Sequence, residues 1–348
     1  MILVTGGTGL VGTHLLMELL KSKTPIRAIY RSKKSLEKAQ QIFLLYNIDW
    51  EKSIQQIDWI QSDLLNPEIL MDAFKGIEYV YHCAAMVSFK KKDKNKMLKV
   101  NIEGTANMIN LSLQAGIKKF CHVSSTATIG KSDNGEPRDE NCIWENDGSF
   151  SNYSISKYFA ENEVWRGSEE GLNVVIVNPS IIIGPGDWTK SSANLFLKVW
   201  KGLKYYSKGT NAFVDVRDVS RAMIILMNSS IKSERFLVIG ENLSFKDLFN
   251  NIATSLGKSL PSIEVKSWMA TFVWRFEAIR SFLFGSDPLV TKEAAKSALC
   301  KVRYSGDKIK EQFDFKMTPI KSSVEHTGKM FLKAVSYTHL TLPTKRIV

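Results

Sequence analysis

The chain has 348 residues, of which 44% are hydrophobic and 24% charged, a globular composition that excludes a disordered or fibrous chain. This length suggests two domains or one large domain. Four cysteines are too few for a secreted disulfide scaffold and favour a reducing compartment. The net charge of +12 is spread along the chain, and its densest run, residues 90–99, has no aromatic residue. We interpret this run as a solvated surface rather than a polyanion site.

The N-terminal residues have neither the basic region nor the apolar stretch of a secretory signal. No run reaches the roughly 18 apolar residues of a membrane span. The nearest candidate, residues 268–284, contains Arg275, Glu277 and Arg280. We therefore expect a cytoplasmic protein with no membrane span and no nucleic-acid partner.

Short β-branched runs alternate with longer helical patterns through the first half of the chain. Strands are predicted over residues 2–5, 26–30, 57–61, 79–82, 120–124 and 174–177. Helices are predicted over residues 10–20, 35–46, 68–74, 97–115 and 154–169. This alternation is typical of βαβ units with right-handed crossovers. It predicts an α/β fold with a Rossmann-type doubly wound parallel sheet.

The regular alternation stops after Pro179. Helices at residues 194–202 and 219–228 and strands at 213–216 and 236–239 follow, and residues 244–333 have mostly helical patterns. We predict an NAD(P)-binding Rossmann domain from residues 1–180 and about 212–240. A smaller, mostly helical C-terminal substrate domain would contain residues 181–211 and 241–333.

The last segment, residues 335–348, has no helical period. It resembles translated sequencing-adapter read-through. We interpret it as a non-native or disordered tail and give it no function.

A glycine-rich turn follows the first predicted strand. Gly7, Gly9 and Gly12 fit G-x-G-x-x-G, and Gly6, Gly9 and Gly12 fit T-G-x-x-G-x-x-G. Glycines allow a sharp turn and a close approach of the backbone to a pyrophosphate, which the N-terminus of the next helix attracts. The turn predicts a dinucleotide site, with candidate contacts at Gly6, Gly7, Thr8, Gly9, Leu10, Val11 and Gly12.

The end of the second strand bears on the choice of cofactor. NAD-preferring enzymes place an acidic residue there, on the ribose 2′-hydroxyl. This chain instead has Arg31 followed by Ser32, Lys33 and Lys34. Arg31 offers a bidentate fork for a 2′-phosphate, so NADP is the preferred cofactor and NAD the alternative. The other interpretation is an exposed basic loop that does not distinguish the 2′-phosphate from a hydroxyl.

Tyr153 and Lys157 are four residues apart and would share one face of a helix. A lysine ammonium near a phenol lowers the tyrosine pKa, which predicts that Tyr153 acts as a general acid or base. The hydroxyls of Ser124, Ser125 and Thr126 end the fifth strand, where they would face the ligand crevice.

Together these motifs resemble the extended short-chain dehydrogenases/reductases, the NAD-dependent epimerase/dehydratase superfamily. The resemblance covers roughly residues 1–240 well and the remainder loosely. It rests on the glycine turn, Asp63-Leu64, His82 to Ala85, Val100 to Thr105, Ser124-Ser125, Tyr153 with Lys157, and Asn178-Pro179.

The resemblance implies roles for these residues. The glycine turn would contact the pyrophosphate and Asp63 the adenine. Tyr153 would donate or accept the proton, while Lys157 would bind the nicotinamide ribose and lower the tyrosine pKa. Further candidate cofactor contacts are Leu64, Cys83, Ala84, Ala85, Asn101, Tyr153, Lys157, Asn178, Pro179 and Ser180.

The resemblance leaves the catalytic hydroxyl open. Relatives usually place it five positions before a glycine, and counting back from Gly130 gives Ser125. Thr126 is the alternative, and Ser124 is the third choice.

The sequence after the sixth strand resembles the dihydroflavonol reductase, aldehyde reductase and 3β-hydroxysteroid dehydrogenase branches. The resemblance therefore implies an NAD(P)-dependent oxidoreductase that acts on a carbonyl or alcohol group of a small, apolar substrate. An epimerase or isomerase with tightly held NAD is the alternative, and a non-catalytic NADP-sensing regulator is an alternative of another class. The aromatic residues Trp268, Phe272, Trp274 and Phe276 would suit an apolar pocket or lid, or ordinary helix packing.

The five histidines and four cysteines have no metal-ligand spacing, so no metal site is predicted. His82 and His122 end predicted strands and are interpreted as structural. By analogy with the family, a homodimer would form through the helices at about residues 97–115 and 154–169.

Overall fold

The structure is a computed structural model that describes residues 1–132, 135–145, 148, 150–284 and 298–341. Its main feature is a seven-stranded parallel sheet in the order β10-β6-β5-β4-β1-β2-β3. These strands are β1 (Ile2–Thr5), β2 (Ile26–Tyr30), β3 (Ile57–Gln61), β4 (Tyr79–His82), β5 (Lys119–Val123), β6 (Val174–Pro179) and β10 (Glu234–Val238). The predicted Rossmann-type doubly wound sheet is confirmed.

Helices cover both faces of this sheet. They are α1 (Leu10–Leu19), α2 (Lys33–Leu45), α3 (Trp50–Gln55), α4 (Pro67–Ala73), α5 (Lys94–Leu98), α6 (Gly104–Gln114), α7 (Asn152–Glu169) and α9 (Val216–Asn228). Strand residues alternate between the two cores, so that Ile2 and Val4 pack with α1 and α9 while Leu3 packs with α4, α6 and α7. The chain is therefore layered as helices, sheet and helices.

Within the described residues, the second half adds two smaller sheets, the α8 helix (Asn194–Trp200) and further helices. The strands are β7 (Ile181–Ile183), β8 (Tyr205–Tyr206), β9 (Thr210–Asp215), β11 (Glu241–Ser244) and β12 (Ile263–Glu264). The helices are α10 (Phe245–Ser255), α11 (Ser267–Phe284), α12 (Asp307–Phe313) and α13 (Ile320–Thr341). A separate apolar core joins α8, α10 and α13 through residues such as Phe196, Leu248 and Val324. The mostly helical C-terminal region is confirmed.

Several elements differ from the sequence expectation. Strand β9 pairs with β7 and β11 in its own sheet instead of the main one. Helix α3 and strands β7, β8, β11 and β12 were not predicted, because they are not part of the regular alternation of strand and helix patterns by which main-sheet strands of similar length were recognised. Helix α9 begins at Val216, before the predicted start, since the Asp215 side chain accepts a hydrogen bond from the Arg217 N–H and caps it.

Helix α13 continues through residues 335–341, where the sequence has no helical period. Residues 342–348 of the expected tail lie outside the described part of the chain. Across the residues that the structure describes, none of the helices has the length and apolarity needed to span a membrane.

Candidate active site

The glycine turn packs directly against the carboxyl end of β4. Gly6 has a φ of +67°, and a Cβ there would lie 2.7 Å from the Ala84 nitrogen. A Cβ on Gly12 would lie 2.2 Å from the Gly6 oxygen. The Ala84 N–H also donates to the Thr5 hydroxyl at 3.3 Å. A side chain on Gly6 or Gly12 would collide with neighbouring backbone atoms, so backbone groups line the turn at these positions.

The N-terminus of α1 is open to an anion. Gly9 forms the N-cap with no side-chain hydrogen bond, and the first turn has no acidic residue. The N–H groups of Leu10, Val11 and Gly12 therefore have no partner within the helix. Together with the helix dipole they suit a pyrophosphate. Thr13 fixes the turn by donating to the Gly7 carbonyl at 3.0 Å.

The candidate adenosine contacts lie at the ends of β2 and β3. Arg31 follows β2 directly and is exposed. Asp63 is exposed, and its carboxylate accepts the Leu65 N–H at 3.0 Å. Leu64 is buried, and its carbonyl accepts a hydrogen bond from Asn107 at 2.9 Å. The three candidate residues follow neighbouring strands of the sheet.

Asn101 anchors the loop that follows β4. This loop begins with Cys83, Ala84 and Ala85, and burial raises the pKa of the Cys83 thiol to about 12. Asn101 lies in a π-helical turn at residues 99–103 and is buried. Its amide accepts the Met86 N–H at 2.7 Å and donates to the Met86 carbonyl at 3.0 Å. Such π-helical turns are frequent at functional sites.

The three candidate hydroxyls after β5 have three different partners. Ser124 donates to Glu161 at 2.5 Å. Thr126 lies near Tyr304, and its hydroxyl lowers the pKa of that phenol. Ser125 lies near Tyr153 and lowers the pKa of that phenol, while its own Oγ accepts the Ala127 N–H at 3.1 Å. The structure therefore brings Ser125, among the three, to the phenol.

Tyr153 is half-buried beside a second aromatic ring. Its ring centroid lies 5.8 Å from that of Phe89, which is 46% exposed. Burial raises the pKa of Tyr153, and the nearby Ser125 hydroxyl partly opposes this. The expectation that the neighbouring lysine lowers this pKa is wrong for the chain without cofactor, because desolvation of the phenolate dominates.

Lys157 is turned towards the end of β5. Its Nζ donates to the Val123 carbonyl at 2.8 Å and lies 3.5 Å from Nε2 of His122. Only 2% of the residue is exposed. Burial lowers the pKa of Lys157 to about 8, although the nearby Glu161 carboxylate raises it. Its ammonium thus lies beneath the site, bonded to backbone.

A buried carboxylate that the sequence analysis missed organises this region. Glu161 is 2% exposed and accepts five hydrogen bonds. They come from Ser124, Thr128, Asn178, Trp165 and Arg235. Its position one turn after Lys157 is the available sequence signal, but a glutamate on a helix is more often solvent-exposed.

The candidate contacts after β6 are largely enclosed. Asn178 is fully buried and donates to Glu161, Thr128 and the Ser125 carbonyl. The Asn178 side-chain amide therefore holds the loop that follows β5 in place. Pro179 ends β6, and the buried Ser180 follows, with its N–H donating to the Val238 carbonyl at 3.3 Å.

His82 and His122 are stacked 5.3 Å apart beneath the site. His82 is bonded on one side to Thr5 at 2.7 Å and on the other to Thr105 at 3.1 Å. Burial lowers the pKa of His82 to about 3, so this ring is neutral. Its two hydroxyl partners agree with a structural role.

Three of the four aromatic side chains singled out in α11 are exposed. Trp268, Phe272 and Phe276 are 69%, 72% and 60% exposed, while Trp274 is half-buried. Helical spacing alone could not show which face another element covers.

A doubly wound parallel sheet with a glycine turn and a serine, tyrosine and lysine set after β5 defines a nucleotide-binding fold of the extended short-chain dehydrogenase/reductase type. The chain belongs to the NAD-dependent epimerase/dehydratase family, whose model matches residues 2–240. The resemblance drawn from the motifs is confirmed. The protein is an enzyme, an NAD(P)-dependent oxidoreductase or epimerase.

Curated relatives include reductases. A putative dihydroflavonol 4-reductase of Synechocystis is 28% identical over 92% of this chain and 91% of its own length. Cinnamoyl-CoA reductase 1 of Petunia hybrida is 25% identical over 99% of this chain and 94% of its own. Sterol demethylase protein B of Methylococcus capsulatus is 28% identical over 76% of each chain.

Solved structures share the fold over nearly the whole chain. The crystal structure of gox2253 superposes with a TM-score of 0.78 at 27% identity and covers 96% of this chain and 98% of that one. The UDP-glucose 4-epimerase of Thermotoga maritima superposes with a TM-score of 0.75 at 20% identity, over 96% and 99% of the two chains. The second likeness concerns the fold alone.

Proposed function

We propose that the protein is an NADP-linked reductase that converts a carbonyl group of a small apolar substrate into an alcohol. The observation that carries this proposal is that Ser125 and Tyr153 lie near each other, close enough for the Ser125 hydroxyl to lower the pKa of the phenol, with Lys157 buried one helical turn further along α7. The bound nicotinamide cofactor supplies the hydride, and the protein supplies orientation and a proton.

Tyr153 acts as the proton donor in this proposal. The phenol is protonated at neutral pH and so has a proton to give, although burial raises its pKa and makes it a weaker acid in the cofactor-free chain. Ser125 holds the carbonyl oxygen beside the phenol. As the carbonyl carbon gains a hydride, Tyr153 gives its proton to that oxygen and afterwards regains one from solvent. Lys157 positions the ribose and stabilises the transient phenolate.

Two exposed apolar side chains support an apolar substrate. Phe89 lies beside the Tyr153 ring, and Val87, two residues earlier, is 51% exposed. Both belong to the loop held by Asn101, which follows β4. The relatives named as dihydroflavonol, cinnamoyl-CoA and sterol enzymes agree with substrates of this class.

Arg31 supports the preference for NADP. It is exposed directly after β2, and the first turn of the following helix has two lysines and no acidic residue. Charge-assisted hydrogen bonds to a 2′-phosphate are worth about 1.5–3 kcal/mol each. We expect roughly 10- to 100-fold lower KM for NADPH than for NADH, and loss of this ratio in Arg31→Asp. An NADH preference in the unmodified chain would contradict the assignment.

The proton-donor role is tested with Tyr153→Phe and a panel of aromatic and alicyclic ketones and aldehydes. We expect kcat to fall at least about 100-fold while NADPH still binds, since general acid catalysis typically contributes 10²- to 10⁴-fold. Tyr158→Phe is the control on the same helix, because the Tyr158 ring stacks on that of Trp144 with the ring centroids 4.0 Å apart. Wild-type turnover by Tyr153→Phe would disprove the mechanism.

The same assay separates the alternative activities. An epimerase would retain cofactor through purification and turn over without added NADPH. A sensing protein would bind NADPH and consume none with any carbonyl in the panel. Steady consumption that depends on added NADPH and carbonyl is the outcome expected of a reductase.

A homodimer through α6 and α7 completes the proposal. The two helices pack on each other, and Phe159 of α7 is 44% exposed. Analytical ultracentrifugation of the full chain and of Phe159→Glu tests it. We expect a dimer that the charged variant weakens.

A further inference from the structure

A row of aromatic side chains lies exposed along α11. Trp268, Phe272 and Phe276 follow one another at four-residue spacing and are 69%, 72% and 60% exposed. This spacing places the three rings on one face of the helix. Large apolar side chains that stay together in solvent mark an interaction surface more often than isolated ones do.

Arginines border the same row. Arg280 comes four residues after Phe276 and continues the row at its C-terminal end. The exposed Arg275 comes seven residues after Trp268, so it lies on the same side of the helix two turns later. Its guanidinium lies 5.5 Å from the ring of Trp274. Arg275 therefore places a positive charge on the side of the helix that carries the aromatic row.

A basic groove lies at the beginning of α11. Its volume is about 310 Å³, and its lining includes Lys208, Lys266, Lys301 and Glu264. Glu264 pairs with Lys208 at 2.7 Å. The four ionisable side chains of the groove leave an excess of two positive charges. This groove gives the surface a second cationic region, independent of the aromatic row.

Further apolar side chains are exposed on the ribbon that precedes α11. Ile263 of β12 pairs in register with Tyr205 of β8, which places the two side chains on one face of the ribbon. They are 39% and 50% exposed, and Leu260 is 53% exposed. The chain thus enters α11 from a segment that is itself apolar and accessible.

We propose that α11 and the basic groove form a docking surface for an anionic lipid bilayer. The helix would lie in the plane of the headgroups with Trp268, Phe272 and Phe276 inserted towards the acyl chains. The arginines and the groove lysines would contact lipid phosphates, because long basic side chains reach the headgroup layer while their stems stay apolar.

The charge of this surface favours a membrane over a second copy of the chain. Two copies that met through α11 would bring their arginines and lysine-rich grooves together, and like charges repel. An anionic bilayer instead satisfies both features, since it offers an apolar interior and a negative surface. The formal net charge of +12 acts in the same direction at long range.

The test is flotation of the full chain with vesicles of phosphatidylcholine alone and of phosphatidylcholine mixed with phosphatidylglycerol. We expect binding to the anionic vesicles that high salt weakens, with little binding to the neutral ones. Replacing Trp268, Phe272 and Phe276 together by Ser should abolish flotation. Replacing Lys208, Lys266 and Lys301 together by Gln should weaken the partition coefficient at least about tenfold.

Matched controls keep the result specific. The control for the aromatic replacements changes Leu44, Ile69 and Met71, which are also exposed, to Ser. The control for the groove replacements changes Lys21, Lys52 and Lys75, exposed lysines elsewhere in the chain, to Gln. The control variants should float like the unmodified chain. Thermal unfolding and NADPH binding verify that each variant is folded.

Three outcomes would overturn the proposal. The first is absence of flotation with anionic vesicles. The second is that the control variants lose vesicle binding equally, which would indicate that net charge, and not this surface, causes the binding. The third is that the aromatic replacements remove a concentration-dependent dimer, or binding to single-stranded RNA, while flotation with anionic vesicles persists.

Discussion

The Oε2 atom of Glu161 lies 2.5 Å from Oγ of Ser124, while Glu161 itself follows Lys157 by one turn of α7. One buried carboxylate therefore connects the helix that carries the tyrosine and lysine to the loop that carries Ser125. The relative positions of the three candidate catalytic side chains depend on this connection.

Glu161→Gln tests the connection. All five groups that bond to this carboxylate are donors, so an amide in either orientation sets its own NH₂ group against a donor. We expect the free energy of unfolding to fall by about 2–3 kcal/mol, measured by urea denaturation. Glu163→Gln is the control, because Glu163 pairs with Arg166 near the surface. Its effect should stay below about 1 kcal/mol, and equal effects would refute the argument.

Lys157 should make stability depend on pH. Burial lowers its pKa from the ordinary 10.5 to about 8. Between these values the unfolded chain binds the proton and the folded chain does not, so stability rises with pH from about 8 to 10.5. At 1.36 kcal/mol per pKa unit the rise corresponds to about 3 kcal/mol.

The measurement is the free energy of unfolding of the cofactor-free chain and of Lys157→Met across this pH range. The difference between the two should grow with pH in favour of the unmodified chain and become constant above about 10.5. A difference that does not change with pH would show that the lysine is hydrated in the folded state.

The glycine turn should accommodate a methyl group better at one position than at another. A Cβ on Gly12 would lie 2.2 Å from the Gly6 oxygen, whereas a Cβ on Gly9 would lie 3.2 Å from the same atom. Gly12→Ala must shift α1 or the turn, and we expect it to weaken NADPH binding at least about tenfold, measured by fluorescence titration. Gly9→Ala should lower the free energy of unfolding less than Gly12→Ala does, although it also weakens NADPH binding because the backbone approaches the pyrophosphate at Gly9. The reverse order would mean that the turn is not held by this contact.

Phe89 should affect substrate affinity more than turnover. Its exposed ring lies beside Tyr153, so it contributes apolar surface without taking part in proton transfer. For an aromatic carbonyl substrate we expect Phe89→Ser to raise KM roughly 10- to 100-fold, with kcat changed less than about threefold. Ile143→Ser, at a residue 75% exposed, is the control. A loss confined to kcat would instead place Phe89 in the chemical step.

The sequence was sufficient for the main sheet, because its short β-branched runs alternate regularly with helical patterns. The six predicted strands of the first half all form, within one or two residues at their ends. The glycine turn was recognisable since its spacing, the strand before it and the helix after it occur together. The short strands of the second half lack any such period and became visible only through their pairing.

The amino-acid sequence by itself determined the doubly wound sheet, the turn and the position of Tyr153 and Lys157 one turn apart on α7, since each depends on neighbours close in the chain. Only the tertiary structure decided which hydroxyl of residues 124–126 meets Tyr153, because the partners Glu161 and Tyr304 come from distant segments. It also decided the protonation of the site. The pKa of Tyr153 depends on burial, and burial is a property of the packed chain that no local spacing contains.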